Sequence, residues 1–410
     1  MKLRATIRRS LSPFALILGV MGLAGCSDGG GHGVSGQTRA VVAGNNAFAL
    51  DLYERLKGTD GNLFLSPYSI SESLAVAYAG ARNNTSRQIA QVMRLGTNAV
   101  DTAFAGLRSQ LGRSQKQTGI ELSVANGLWV GTGHPLLPGF CDVARQNYEA
   151  DVKQVDFRTS AGPAVGELNS WVAAKTKGRI KDIIPAGLLD SNSRLVLVNA
   201  IYFKGTWKSK FNPKFTRDSD FHLDPDHVVR CPMMACSGKF RYCHDHTSSV
   251  PIEVIELPYV GGDFSLIAIL STEWEGLADV ESKLTLENLD TWLSLLRETD
   301  VQVVFPKFSM QIELRLEKTL AAMGMSDAFT RRADFSGIDG TDMSYISSIA
   351  HRACFEVNEE GTTATAATAT HSRTKSMPPS FRADHPFLFL IRHNRSGSIL
   401  FLGRVVNPTR

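Results

Sequence analysis

The chain reads as an α+β protein: several β-sheets surrounded by helices, with one long loop exposed near the C-terminus. Three observations predict it. Runs rich in β-branched and aromatic residues, bounded by turns or polar residues, crowd the second half. Helical spacings lie before and between them, without the alternation of a βαβ repeat. The third is the stretch Glu359-Glu360-Gly361-Thr362-Thr363-Ala364-Thr365-Ala366-Ala367-Thr368-Ala369-Thr370, followed by the basic segment His371 to Lys375 and Pro378-Pro379. From Gly361 to Thr370 it has no charge, no proline and no large apolar side chain. Composition alone favours a Thr/Ala-rich linker, but the flanks do not. Residues 353–357 alternate like a strand, and residues 385–391 form a buried-strand run. Only 40 residues follow Thr370, too few for a further domain of ordinary size, so the stretch is a loop inside one fold.

At the N-terminus, Lys2, Arg4, Arg8 and Arg9 form a basic start, residues 11–23 are apolar, and Leu23-Ala24-Gly25-Cys26 closes the segment. The tetrapeptide resembles a bacterial lipobox. In that reading residues 1–25 are a signal peptide and Cys26 is the first mature residue and carries acyl chains. Residues 26–44, which include glycine-rich 27–36, are a flexible tether before a domain spanning 45–410. The protein is then exported and lipid-anchored in the bacterial cell envelope or at the cell surface. The alternative is an ordinary cleaved signal with an incidental cysteine, and a secreted protein.

Residues 45–57 bring Phe48, Ala49, Leu52, Tyr53 and Leu56 to helical spacing and stop at Gly58. Ser66 caps the next helix, with Pro67 at the opening position where no backbone donor is needed; it runs to about Ala79. Residues 195–203, 264–270, 301–305, 386–392 and 398–406 read as strands. Residues 284–296 and 314–323 have helical spacing.

The formal charge of +4 arises wholly from the N-terminal segment, which holds four of the 44 basic residues and none of the 40 acidic ones. The remainder is balanced and has no dense basic run, so nucleic acid is not an expected partner. Arg108, Arg113 and Lys116 read as a solvated face. Besides Cys26 there are Cys141, Cys231, Cys236, Cys243 and Cys354, an odd count with no framework spacing. Cys231, Cys236, Cys243, His244 and His246 offer soft and imidazole ligands, but their spacing fits no closed zinc pattern. No cofactor is expected. A nucleophile elbow, a paired-histidine zinc motif and a phosphate loop are all missing from the sequence, and Gly131-Thr132-Gly133 is a turn.

Several segments resemble the serpins. Asn62-Leu63-Phe64-Leu65-Ser66-Pro67-Tyr68-Ser69-Ile70 resembles the start of their helix B. Leu197-Val198-Asn199-Ala200-Ile201-Tyr202-Phe203-Lys204-Gly205-Thr206-Trp207 resembles their central-sheet signature. His385-Pro386-Phe387-Leu388-Phe389 and Phe401-Leu402-Gly403-Arg404-Val405-Val406-Asn407-Pro408 are similar to the C-terminal strands. Similarity runs from about Ala47 to Pro408, in the family's order. The resemblance implies a serpin fold, one large two-lobed monomeric domain with a reactive-centre loop at about 359–381.

It also implies site residues. Ser66, Ser69, Asn199 and His351 match a shutter beneath the central sheet, and Trp207 a breach at its top. Glu359, Glu360, Gly361, Thr362, Ala364, Ala366 and Thr368 match the hinge. Thr362, Ala364, Ala366 and Thr368 would share the inward face of an inserted strand, where small side chains avoid overpacking. Thr363 departs from the acidic residue often found next in the hinge, at an outward position. The family's spacing from the hinge puts the scissile bond at Lys375-Ser376, 14 residues beyond Gly361. Arg373 is the alternative bait. A lysine there suits the acidic pocket of a trypsin-like serine protease. The implied activity is suicide trapping of such a protease in a covalent acyl complex, with the chain itself not an enzyme. Some serpins instead act as carriers or chaperones, and their hinges commonly lose the small-residue pattern.

Overall fold

A computed structural model of the chain describes residues 35–116, 120–133, 135–246, 250–360 and 378–410. The first half holds α1 (Gly36–Leu56), β1 (Leu63–Leu65), α2 (Pro67–Gly80), α3 (Asn83–Val92), α4 (Val100–Gln115), β2 (Ile120–Gly131), α5 (Pro138–Tyr148), β3 (Asp151–Val155), α6 (Phe157–Lys175) and β4 (Leu195–Gly205). Then come β5 (Arg217–His222), β6 (Val228–Asp245), β7 (Ile252–Pro258), β8 (Phe264–Ser271), α7 (Leu277–Ser282), α8 (Leu286–Leu295), β9 (Arg297–Pro306) and β10 (Phe308–Arg315). The chain ends with α9 (Glu317–Ala322), α10 (Ser336–Asp339), β11 (Ile346–Val357), β12 (Ser380–Arg382), β13 (Phe387–His393) and β14 (Ile399–Val405).

The strands form two sheets. One has five strands in the order β10-β11-β4-β2-β3; the other runs β1-β14-β13-β8-β7-β6-β9-β12, with β5 paired to β6. Phe203 and Phe355 of the first sheet meet Phe64, Phe389 and Phe401 of the second in one aromatic cluster, with ring centroids 5.2 to 6.4 Å apart. Offset and edge contacts of this kind favour one fixed packing over a greasy slide. The opposite face of the five-stranded sheet, with Val196, Val198 and Ala200, packs on α6 and on Ile180, Ile183 and Ile184.

Helix α2 starts as its residues dictate. Ser66 is extended, its Oγ accepts from Ser69 N at 3.3 Å, and Pro67 opens the first turn. Other boundaries moved. Helix α1 begins at Gly36, capped by the Ser35 hydroxyl on Thr38 N at 3.1 Å, so residues 36–44 are helical where a tether was expected. Val41 and Val42 explain this, since both are buried in the core and hold the first turns down. Leu314 and Arg315 belong to β10, not to the helix expected over 314–323, which starts only at Glu317. Ladder pairing of Leu314 with His351 outweighs its helical spacing.

Candidate functional site

The five-stranded sheet has two parallel junctions, β2–β3 at its edge and β11–β4 in its middle. β11 and β4 are adjacent and parallel, whereas β10 with β11 and β2 with β4 are antiparallel. Parallel ladders are slightly less stable per residue, so this seam is the weaker line in the middle of the sheet. β11 leads straight into residues 358–360, which precede the Thr/Ala-rich stretch in sequence.

In the middle of the seam His351 faces Asn199 in register. His351 Nδ1 lies 2.6 Å from Asn199 Oδ1, and Ser66 N donates to His351 Nε2 at 3.3 Å. Because Nε2 accepts from a backbone N–H, the ring proton sits on Nδ1 and donates to Asn199. The imidazole is neutral: burial pulls its pKa down to about 3. Asn199 Nδ2 donates to Asn126 Oδ1 on β2 at 2.5 Å, so Asn126, Asn199 and His351 form one row across three strands. Asn126 Nδ2 continues the row to Glu72 Oε2 at 3.0 Å.

Three of the four expected shutter residues meet here, and one meets them differently. Ser66 joins through its backbone N–H, while its hydroxyl donates to Leu400 O at 2.7 Å. Ser69 is buried next to it, but its Oγ has no hydrogen-bond partner among the described residues. The serine that meets His351 is Ser66, through its backbone N–H.

At the end of the seam Trp207 Nε1 donates to Asn358 O at 2.8 Å, and its ring stacks on Tyr259 at 4.5 Å and 12°. Gly205 permits that stack: a Cβ built there would sit 2.5 Å from the Tyr259 ring. Glu359 is buried and held on three sides. Phe211 N donates to its carbonyl at 3.1 Å, Thr216 Oγ1 donates to Oε1 at 3.0 Å, and Lys307 Nζ lies 3.0 Å from Oε2. Burial would raise its carboxyl pKa, but backbone, Lys307 and Thr216 contacts outweigh burial and hold it below the usual range.

Gly361, Thr362, Ala364, Ala366, Thr368, Arg373, Lys375 and Ser376 lie outside the described residues, as does Cys26. Glu360 is described, and its N–H donates to Asn358 Oδ1 at 3.2 Å.

Sequence reasoning missed Asn126, Glu72 and Lys307. A carboxylate at Glu72, within a helix buried along most of its length, was a signal available for reading; Lys307 gave none. Arg108 is corrected outright. Its side chain is 14% exposed, with Nε 3.6 Å from buried Glu72 and an NH2 group 2.5 Å from Glu149 at the surface, so it bridges inward to Glu72 and is not part of a solvated face. Among the described residues, no three histidine, cysteine or carboxylate side chains stand where they could hold a metal ion.

A family model described as "Serpin (serine protease inhibitor)" matches residues 43–408. The chain belongs to the serpin family. The human (Homo sapiens) leukocyte elastase inhibitor is 38% identical over 380 residues, covering 90% of this chain and 99% of that protein. Uncleaved ovalbumin superposes with a TM-score of 0.82 at 30% identity, covering 90% of this serpin and all of that chain (100%). Maspin gives a TM-score of 0.85 at 26% identity, over 91% of this serpin and 100% of that chain. The α+β serpin fold and membership of a protease-inhibitor family follow.

One expectation is corrected by this membership. Setting the chain simply outside enzymology as "not an enzyme" misplaces it, because serpins act as suicide substrates.

Proposed function

We propose that this serpin traps trypsin-like serine endopeptidases covalently, with Lys375-Ser376 as the bond attacked. The observation that carries this reading is the parallel β11–β4 seam, whose strand β11 is followed in sequence by the Thr/Ala-rich stretch. A chain that reverses after Val357 and enters the seam runs antiparallel to both neighbours. It thereby exchanges one parallel ladder for two antiparallel ones, a downhill step. The shutter bond His351–Asn199 must open for it, at a net cost of about 1 kcal/mol for such a bond.

The protease serine Oγ attacks the Lys375 carbonyl carbon. The Lys375–Ser376 amide breaks, Ser376 leaves as an amine that takes up the serine's proton, and an ester joins the two proteins. Insertion then has to outrun hydrolysis of that ester by water. A relative named for elastase does not carry its target over, since bait chemistry sets the fit to the protease pocket and the bait here is cationic.

The N-terminal motif supports acylation at Cys26 and display at the cell envelope, with a tether that ends where α1 begins at Gly36. Acyl labelling of the expressed protein tests the anchor, and an unlabelled product would sink it.

Mixing the serpin with trypsin should yield an adduct that survives SDS. Lys375→Ala should lower the rate of adduct formation by at least about tenfold, the scale of losing one specificity contact. A clipped serpin without adduct, or full inhibition by the alanine variant, would overturn the assignment.

A further inference from the structure

The shutter row does not stop at the asparagines. It ends on Glu72, a carboxylate wholly enclosed beneath the sheet, 1% exposed. Every donor in the row points the same way: Ser66 N–H to His351, His351 to Asn199, Asn199 to Asn126, Asn126 to Glu72. The remaining faces of Glu72 are also met by donors. Tyr68 OH on α2 lies 2.7 Å from Oε1 and Arg108 Nε on α4 lies 3.6 Å away, while Arg108 reaches on to Glu149 and Asn147 O. Tyr148 of α5, the other titratable neighbour, is occupied by Asp101 at 2.5 Å. An ionised carboxylate is acceptor-only and completes this arrangement; a protonated one brings a donor into a ring of donors.

We propose that Glu72 is a positioning residue for loop insertion: its ionised carboxylate locks the seam closed, and its protonation releases the row and speeds insertion. This rests on the insertion reading above and names a control on the same seam. β2 carries Asn126 and β4 carries Asn199, so when these strands part from β11 and slide over α2, Glu72 loses the Asn126 donor. A carboxylate with one donor fewer holds its proton more tightly, and proton binding therefore favours the open sheet.

The range in which this operates is near neutral. Burial lifts the Glu72 pKa to about 7, against the lowering pull of Arg108, Tyr68 and Asn126. Relative to the unfolded chain the value is raised, so Glu72 supports the fold at low pH and that support is lost as pH rises through about 7. Global stability and insertion rate thus both rise on acidification through this one group. A carboxylate that only held the fold together would slow insertion as it stabilised.

The experiment follows uptake of a blocked synthetic peptide copying residues 361–370, which has no titrating side chain, into the intact serpin between pH 6 and 8. The wild type should take it up about fivefold faster at pH 6 than at pH 8, as one unit of pKa difference between closed and open states gives over that range. Glu72→Gln should be fast and nearly independent of pH. Arg108→Gln, should the first variant fail to fold, moves the midpoint of the wild-type profile upward, because the lowering charge is gone. A pH-independent wild-type rate, or an unchanged profile in either variant, overturns the role of Glu72. Failure of the wild type to take up peptide at any pH would instead overturn the insertion reading itself.

Discussion

Glu359 shows how much one side chain at the loop stem is asked to do. It joins the last residues of β11 to Lys307 beyond β9, to Thr216 and to the Phe211 backbone, next to the Trp207–Asn358 bond. Its depressed pKa means that the stability it contributes is present above the ordinary carboxylate range and is lost as pH falls through its folded value. Glu359→Gln is expected to lower the melting temperature at pH 7 by about 1 to 2 °C, since Lys307 is half exposed and such a pair contributes about 1 kcal/mol or less. The difference from wild type should shrink at pH 4. Scanning calorimetry at both pH values checks this, and a gap that widens in acid would contradict it. At this scale the sequence was a partial guide. Ser66, Asn199 and Trp207 could be picked out because they sit in recognisable runs, and His351 as a matching position, but nothing local to Lys307 or Asn126 says that they close the same contacts.

At the scale of elements, β11 and β4 set the terms for the loop. Phe355 and Phe203 pair in register four residues from His351 and Asn199, on the core side of the sheet. A strand entering between them must fit its inward side chains beside these rings, which is why threonine and alanine suit positions 362, 364, 366 and 368. Thr362→Arg would drive an unpaired guanidinium into that space. The variant should be cleaved by trypsin with little or no stable adduct, turning inhibitor into substrate. A denaturing gel scores the two products, and an unchanged adduct yield would refute the inward assignment of Thr362. The strand runs and the α2 cap were legible because period and capping chemistry are local. The boundary of β10 was not: residues 314 and 315 follow helical spacing, and only their pairing with β11 makes them strand.

On the scale of the whole molecule, the five-stranded sheet holds a weaker parallel seam, and the proposed trapping requires the stretch that follows β11 in sequence to enter it. On that proposal the intact fold is trapped above its lowest free energy, in the manner of a stored-strain switch. Cutting the loop removes the covalent restraint on insertion, so cleaved protein is expected to melt well above the intact form, by 10 °C or more on the order of the several kcal/mol that a new central strand contributes. Differential scanning calorimetry of trypsin-nicked and intact protein decides it, and equal melting temperatures would remove the basis for trapping.

The sequence by itself determined the class of fold, most strands, the cap of α2 and the composition of the loop, because hydrophobic period, turn chemistry and small-residue bias are written within a few positions of one another. Only the tertiary structure decided that β11 and β4 run parallel, that Ser66 and not Ser69 meets His351, and that Arg108 bridges inward to Glu72. It also brought Glu72 to the end of the shutter row. Those facts depend on strand order and on contacts between residues such as Ser66 and His351, 285 positions apart, and burial by distant segments leaves no local mark on the residues it changes.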